Sequence, residues 1–179
     1  MNTAIGVIEL SSIARGIEVC DFMLKTAAVE VVRSSTVCPG KYIIIISGET
    51  SDVEASLRSG AEHGGELVVE TLLLPNAHPQ LAPAIALANP VNVKGAVGVM
   101  EFFSITSAIR AADIAAKAAN VTLIEVRIGF AIGGKGFVTL TGDVASVEEA
   151  ISDATAELPM LVGTAVIPRP DPRLFDLLM

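Results

Sequence analysis

The residues of this 179-residue chain that are best suited to chemistry are few: Cys20 and Cys38, His63 and His78, and the run Gly133-Gly134-Lys135-Gly136. A thiolate is a nucleophile and a soft metal ligand. Cys38 stands in Val37-Cys38-Pro39-Gly40, a turn in which Pro39 fixes φ and Gly40 permits close backbone approach. One thiol per chain is a poor metal site, and a lone Cys in a turn reads more readily as a small lining residue than as a ligand. Cys20 recurs with Ile13, Ile17 and Leu24 at helical spacing. That spacing predicts an apolar helix face and a place in the core, where free Cys acts as a small hydrophobe. His63, before Gly64-Gly65, reads as a solvated helix end, and His78 follows Asn76 in a Pro-rich turn. Neither has metal-ligand spacing around it. The glycine-lysine run lacks the G-x-x-x-x-G-K-S/T spacing of a phosphate loop and the helix that should follow, because Phe137-Val138-Thr139-Leu140 reads as a strand. It is a hairpin turn. No Ser/His/Asp set or paired carboxylates stand out, so no enzyme is expected.

The elements that must position these residues occur twice. Ala4-Ile5-Gly6-Val7-Ile8-Glu9 recurs as Ala96-Val97-Gly98-Val99-Met100-Glu101, an offset of 92. At the same offset Ser12, Ile13, Ile17, Asp21, Lys25, Ala27 and Val29 meet Ser104, Ile105, Ile109, Asp113, Lys117, Ala119 and Val121. Gly40-Lys41 and Gly48 meet Gly134-Lys135 and Gly142 at an offset of 94, so copy two carries two extra residues between these blocks. Pro75 meets Pro168 at 93.

In each copy the pattern reads β-α-β-β-α-β, the split βαβ arrangement of ferredoxin-like folds. In copy one the strands are expected at Ala4–Leu10, Val29–Ser34, Lys41–Ser47 and Glu66–Leu74. One helix follows Ser11 or Ser12, a second runs from Thr50 or Ser51 to about Glu62, and a short one covers Pro79–Leu87. Copy two follows the same path, with Asp143–Glu157 as its second helix. Asn89–Gly95 is the expected linker, which places the two domains at 1–91 and 92–179.

Composition narrows the class. Hydrophobic residues make up 51% of the chain, yet the longest obvious apolar block, Tyr42–Ile46, is far short of the ~20 residues of a spanning helix. The excess fits a protein that hides surface in subunit contacts. With 12 basic and 20 acidic residues, unclustered bases and no Trp, neither nucleic acid nor membrane is expected as a partner. The start, Met1-Asn2-Thr3-Ala4, shows no secretory signal, and two cysteines without one read as reduced thiols in the cytosol.

Ala-Ile-Gly-Val-Ile-Glu, the helix ending Asp21-x-x-x-Lys25-x-Ala27, the Pro-Gly-Lys turn and Val166-Ile167-Pro168-Arg169-Pro170 together resemble bacterial microcompartment shell domains. The resemblance covers nearly the whole chain, twice. Within the family, Val37-Cys38-Pro39-Gly40-Lys41 and Ile-Pro-Arg-Pro look closest to tandem members that carry an iron–sulfur cluster. The resemblance implies an α/β chain of two tandem ferredoxin-like shell domains, closing as a homotrimer into a pseudohexameric tile of a microcompartment within the cytoplasm. It implies that Val37, Cys38, Pro39 and Gly40, with Ile132, Gly133 and Gly134 of copy two, line a central pore. Cys38 from three chains would then hold one 4Fe-4S cluster per trimer, with one iron left to a non-protein ligand. Copy two offers no thiol at that turn. Lys25, Lys117 and Arg169 are implied at tile edges, where other shell proteins dock; copy one has Asn76 in place of the edge arginine.

The implied role is a structural tile with a redox-active pore. Such a pore would pass electrons across the shell, with enclosed redox enzymes as partners, or deliver clusters to them. Two other readings compete with it: a metal-free gated metabolite pore, in which the longer copy-two turn acts as a plug, and a ferredoxin-like small-molecule sensor.

Overall fold

The computed structural model describes residues 3–89, 95–129 and 132–174. The expected 91/92 domain boundary lies outside the described residues. Copy one runs β1 (Ala4–Leu10), α1 (Ile13–Thr26), β2 (Glu30–Val37), β3 (Lys41–Gly48), α2 (Thr50–Gly64), a 3-10 turn at Gly65–Leu67, β4 (Val68–Leu74) and α3 (Leu81–Ile85). Copy two repeats it as β5 (Ala96–Phe102), α4 (Ile105–Ala118), β6 (Thr122–Ile128), β7 (Gly136–Gly142), α5 (Val144–Thr155) and β8 (Leu161–Ile167). The sheets are ordered β2-β3-β1-β4 and β6-β7-β5-β8, with every paired strand antiparallel. The registers match as well: Ala4 faces Gly48 as Ala96 faces Gly142, and a bulge falls at Glu9/Leu10 as at Glu101/Phe102.

Several element ends differ from expectation, each for a local reason. β2 extends to Val37, because the polar run Arg33–Thr36 keeps its ladder to β3 although it breaks the apolar pattern. β4 starts at Val68, since Gly65, at φ +54°, leads into the 3-10 turn. α3 is confined to Leu81–Ile85. Asp143 stands just outside α5 as its cap, accepting from the Ser146 N–H.

Helix α1 departs furthest from the expected packing. The stripe Ile13, Ile17, Leu24 was expected inward, but α1 buries Gly16, Val19 and Met23 against its own sheet and leaves that stripe exposed. Cys20, assigned to the core, is half-buried at its margin, and its Sγ accepts from the Ser34 hydroxyl at 3.6 Å. An α-helix between one sheet and solvent needs only one apolar stripe; α1 has two.

Copy two shows what a second stripe does. Ile105, Ile109 and Ala116, at the positions of Ile13, Ile17 and Leu24, are buried in a core that includes Val37, Ile43, Ile45, Leu72 and Leu74 of copy one. Ile17 is 58% exposed and Ile109 is 0%. Helix α4 thus serves both copies, and α3 of copy one packs on β6 of copy two. Polar contacts close the seam: Leu123 N–H donates to Gln80 Oε1 at 2.8 Å and Asn89 Nδ2 donates to Leu123 O at 2.8 Å.

Candidate functional site

The β2–β3 turn puts Cys38 at a strand end. Val37 is buried, Cys38 is half-buried, and Pro39 and Gly40 are exposed. The Cys38–Pro39 peptide bond is cis, and Gly40 has φ +80°. A left-handed residue here lets the chain reverse in three residues, which favours glycine. At the foot of the turn Lys41 Nζ donates to Glu9 Oε1 at 2.8 Å, with the Glu9 side chain 5% exposed. Copy two repeats the pair as Lys135 and Glu101, also at 2.8 Å, with Lys135 Nζ over the Phe103 ring. Neither pair was singled out from the sequence. The signal was there, since the repeat alignment places Glu9 on Glu101 and Lys41 on Lys135.

The two turns meet within one chain. Cys38 N–H donates to Gly129 O at 2.8 Å, and Gly134 lies against the Cys38 carbonyl. Ile132, half-buried, and Gly133, exposed, complete the copy-two turn. The seven residues expected to line a pore therefore form two adjacent turns. Both cysteines are free, and they lie on different elements: Cys20 on α1 and Cys38 beyond β2. Among the described residues no three His, Cys, Asp or Glu side chains cluster closely enough to hold a metal. The donor set of a single chain at this turn is one thiol. A cluster fits these residues only as a set gathered from several chains.

The expected edge residues lie apart from the turns. Lys25 pairs with Asp21 one helical turn away and is 71% exposed. Lys117 pairs with Asp113, which also accepts from His78 N–H of copy one at 2.7 Å. Equivalent lysines thus have different surroundings, since Lys117 borders the seam between the copies and Lys25 borders open surface. Arg169, beyond β8, is exposed. His63 stacks on Phe22 at 3.8 Å and its Nδ1 is 2.8 Å from Ser59 O, which ties down a side chain expected to be simply solvated. No described helix is long and apolar enough to cross a membrane.

Comparison with known proteins agrees with this architecture. The BMC domain family matches the chain twice, at residues 4–77 and 96–170. The bacterial microcompartment shell protein PduT of Citrobacter freundii is 43% identical over 173 residues, covering 95% of this chain and 94% of the relative. The carboxysome shell protein CsoS1C of Hydrogenovibrio crunogenus is 34% identical over 89 residues, covering 48% of this chain and 87% of the relative. Among solved structures, a microcompartment protein from Desulfitobacterium hafniense superposes with a TM-score of 0.94 at 47% identity, covering 98% of this chain and 99% of the other. A fused permuted hexameric shell protein, MSM0275 from the RMM microcompartment, shares the fold at a TM-score of 0.62 and 23% identity, covering 86% of this chain and 82% of the other.

Proposed function

The chain belongs to the BMC-domain family of bacterial microcompartment shell proteins, and from that premise we propose that it closes as a homotrimeric tile whose centre gathers Cys38 from three chains to hold an iron–sulfur cluster. It is a structural component of the shell and not an enzyme.

The observation that carries the trimer is the unequal burial of equivalent residues. Copy one's sheet covers the second stripe of α4, whereas the same stripe on α1 is open. The β8 strand of copy two is exposed over Leu161–Ala165. Repeating between chains the contact made within a chain would set copy two of one protomer on α1 of the next. That is a head-to-tail contact, which closes into a ring when the rotation between successive chains completes a full turn. Two modules per chain and a six-module tile require three chains. Boundaries near 1–91 and 92–179 suit this plan, as do Lys25, Lys117 and Arg169 at the rim against neighbouring shell proteins.

Gathering the turns makes the metal reading chemically workable. Cys38 of three chains would supply three thiolates, and a cluster of this kind supplies one-electron redox chemistry. The chain's own part is to hold the sulfurs and to bring them to a shared axis. This role suits electron transfer across the shell, or cluster delivery, with enclosed redox enzymes as partners.

The test is anaerobic purification followed by iron and sulfide analysis and mass measurement in solution. A brown trimer with iron is expected, and Cys38→Ser should be colourless while keeping its mass. An iron-free trimer after anaerobic reconstitution removes the cluster and leaves the tile; a monomer removes both.

A further inference from the structure

We propose that the copy-two turn, which carries no ligand, is a clamp that positions Cys38, with Gly129 and Gly134 as its contact points. The inference rests on the reading of Cys38 as a cluster ligand and names the residues that hold it in place.

The backbone of Cys38 is fixed by the other copy. Its N–H donates to Gly129 O at 2.8 Å. That carbonyl is itself held, because Gly129 N–H donates to Lys135 O at 2.9 Å and Lys135 N–H donates to Ile132 O at 3.3 Å. Gly134 closes from the other side. A Cβ there would come 2.7 Å from Cys38 O and 3.5 Å from Pro39 Cδ. A Cβ on Gly129 would come 2.6 Å from Val37 Cβ and 2.8 Å from Ile105 Cδ1. Their φ values of +59° and +80° lie in the left-handed region, which favours glycine. The copy-one turn has three residues between its strands, 38–40, against seven in copy two, 129–135. The longer turn supplies both contact points.

Gly133 separates contact from conformation. It too is left-handed, at φ +67°, but a Cβ there meets nothing within 4 Å. Alanine at Gly133 and at Gly134 imposes the same kind of backbone strain. Only Gly134→Ala also drives a methyl group into the carbonyl of Cys38. A thiolate shared among chains must be held closely, and loss of the contacts that orient a metal ligand weakens binding about 10- to 100-fold.

The experiment uses full-length protein in a Cys20→Ala background, so that Cys38 is the sole thiol. Both glycine variants are reconstituted anaerobically with ferrous iron and sulfide. Gly134→Ala is expected to hold the cluster about tenfold more weakly or worse, with trimer mass intact and Gly133→Ala close to the parent. In iron-free protein, iodoacetamide should alkylate Cys38 several-fold faster in Gly134→Ala alone. Equal cluster retention and equal alkylation in the two variants overturn the clamp. A parent that takes up no iron, while alkylation still separates the variants, sinks the ligand reading and keeps the clamp. Should Gly134→Ala not fold, hydrogen exchange on the parent decides: slow exchange at the Cys38 amide supports the clamp, and unprotected exchange overturns it.

Discussion

At the residue scale, the Glu9–Lys41 pair decides how firmly the Cys38 turn is footed. Glu9 is 5% exposed, whereas Lys41 keeps part of its side chain in water. A buried charge left without its partner costs far more than a polar group that can still find solvent. Removing each partner should therefore give unequal losses. Lys41→Met strands the carboxylate and is expected to cost about 3 kcal/mol. Glu9→Gln leaves an ammonium near the surface and an amide that still accepts from it, and should cost about 1 kcal/mol. Chemical denaturation at fixed protein concentration checks the order; equal losses would mean that Glu9 reaches water through the turn. A sequence read for metal-ligand spacing passes over this pair, because the two residues are far apart in the chain and only the β1–β3 pairing brings them together.

At the scale of elements, the copies solve one packing problem in opposite ways. In copy one, Gly16 on α1 makes room for Tyr42 on β3, and a Cβ at Gly16 would lie 2.5 Å from the Tyr42 ring. In copy two the helix carries Ala108 and the strand carries Gly136, whose added Cβ would lie 2.7 Å from Ala108 Cβ. Gly16→Ala should therefore destabilise by about 2 kcal/mol through overpacking, although alanine is the better helix former. Adding Tyr42→Gly, the copy-two arrangement, should recover part of that loss, which a double-mutant cycle measures directly. Asp143 makes a second case. Hydrogen bonds from the Ser146 N–H and hydroxyl hold its carboxyl below its ordinary value of 3.8. A depressed pKa means stability present above that value and lost as pH falls through the folded pKa. Asp143→Ala should thus melt lower than wild type at neutral pH, with the gap in Tm closing in acid, while Asp143→Asn keeps the cap. Element type and order were legible because each copy states them independently, and Ser12 and Ser104 mark both helix starts with the same cap. The inward face of α1 was not legible. Apolar spacing marks a stripe that wants burial, but it does not say whether the neighbour is the chain's own sheet or another protomer. The same limit applies to Cys38, whose turn was readable while its contact with Gly129 and Gly134 depends on how the copies dock.

At the scale of the whole molecule, the repeat yields a pair of positions that differ only in what covers them. Ile17 and Ile109 occupy the same place on equivalent helices, yet Ile17 is 58% exposed and Ile109 is fully buried against copy one. Placing an aspartate at each asks two different questions. Ile109→Asp forces an unpaired carboxylate into a core shared by both domains, which costs several kcal/mol and should unfold the chain or leave it insoluble. Ile17→Asp leaves that core untouched, so circular dichroism should report a native fold. If another protomer's copy two covers α1, however, the same charge becomes buried only on association, and light scattering should show the mass falling to that of one chain. Loss of apolar contact at a ring seam also acts three times over, once per interface, so a modest penalty at each would suffice to open the ring. A folded Ile17→Asp protein that keeps a trimeric mass would show that the open stripe of α1 is not the seam, and the head-to-tail ring inferred from unequal burial would have to be abandoned.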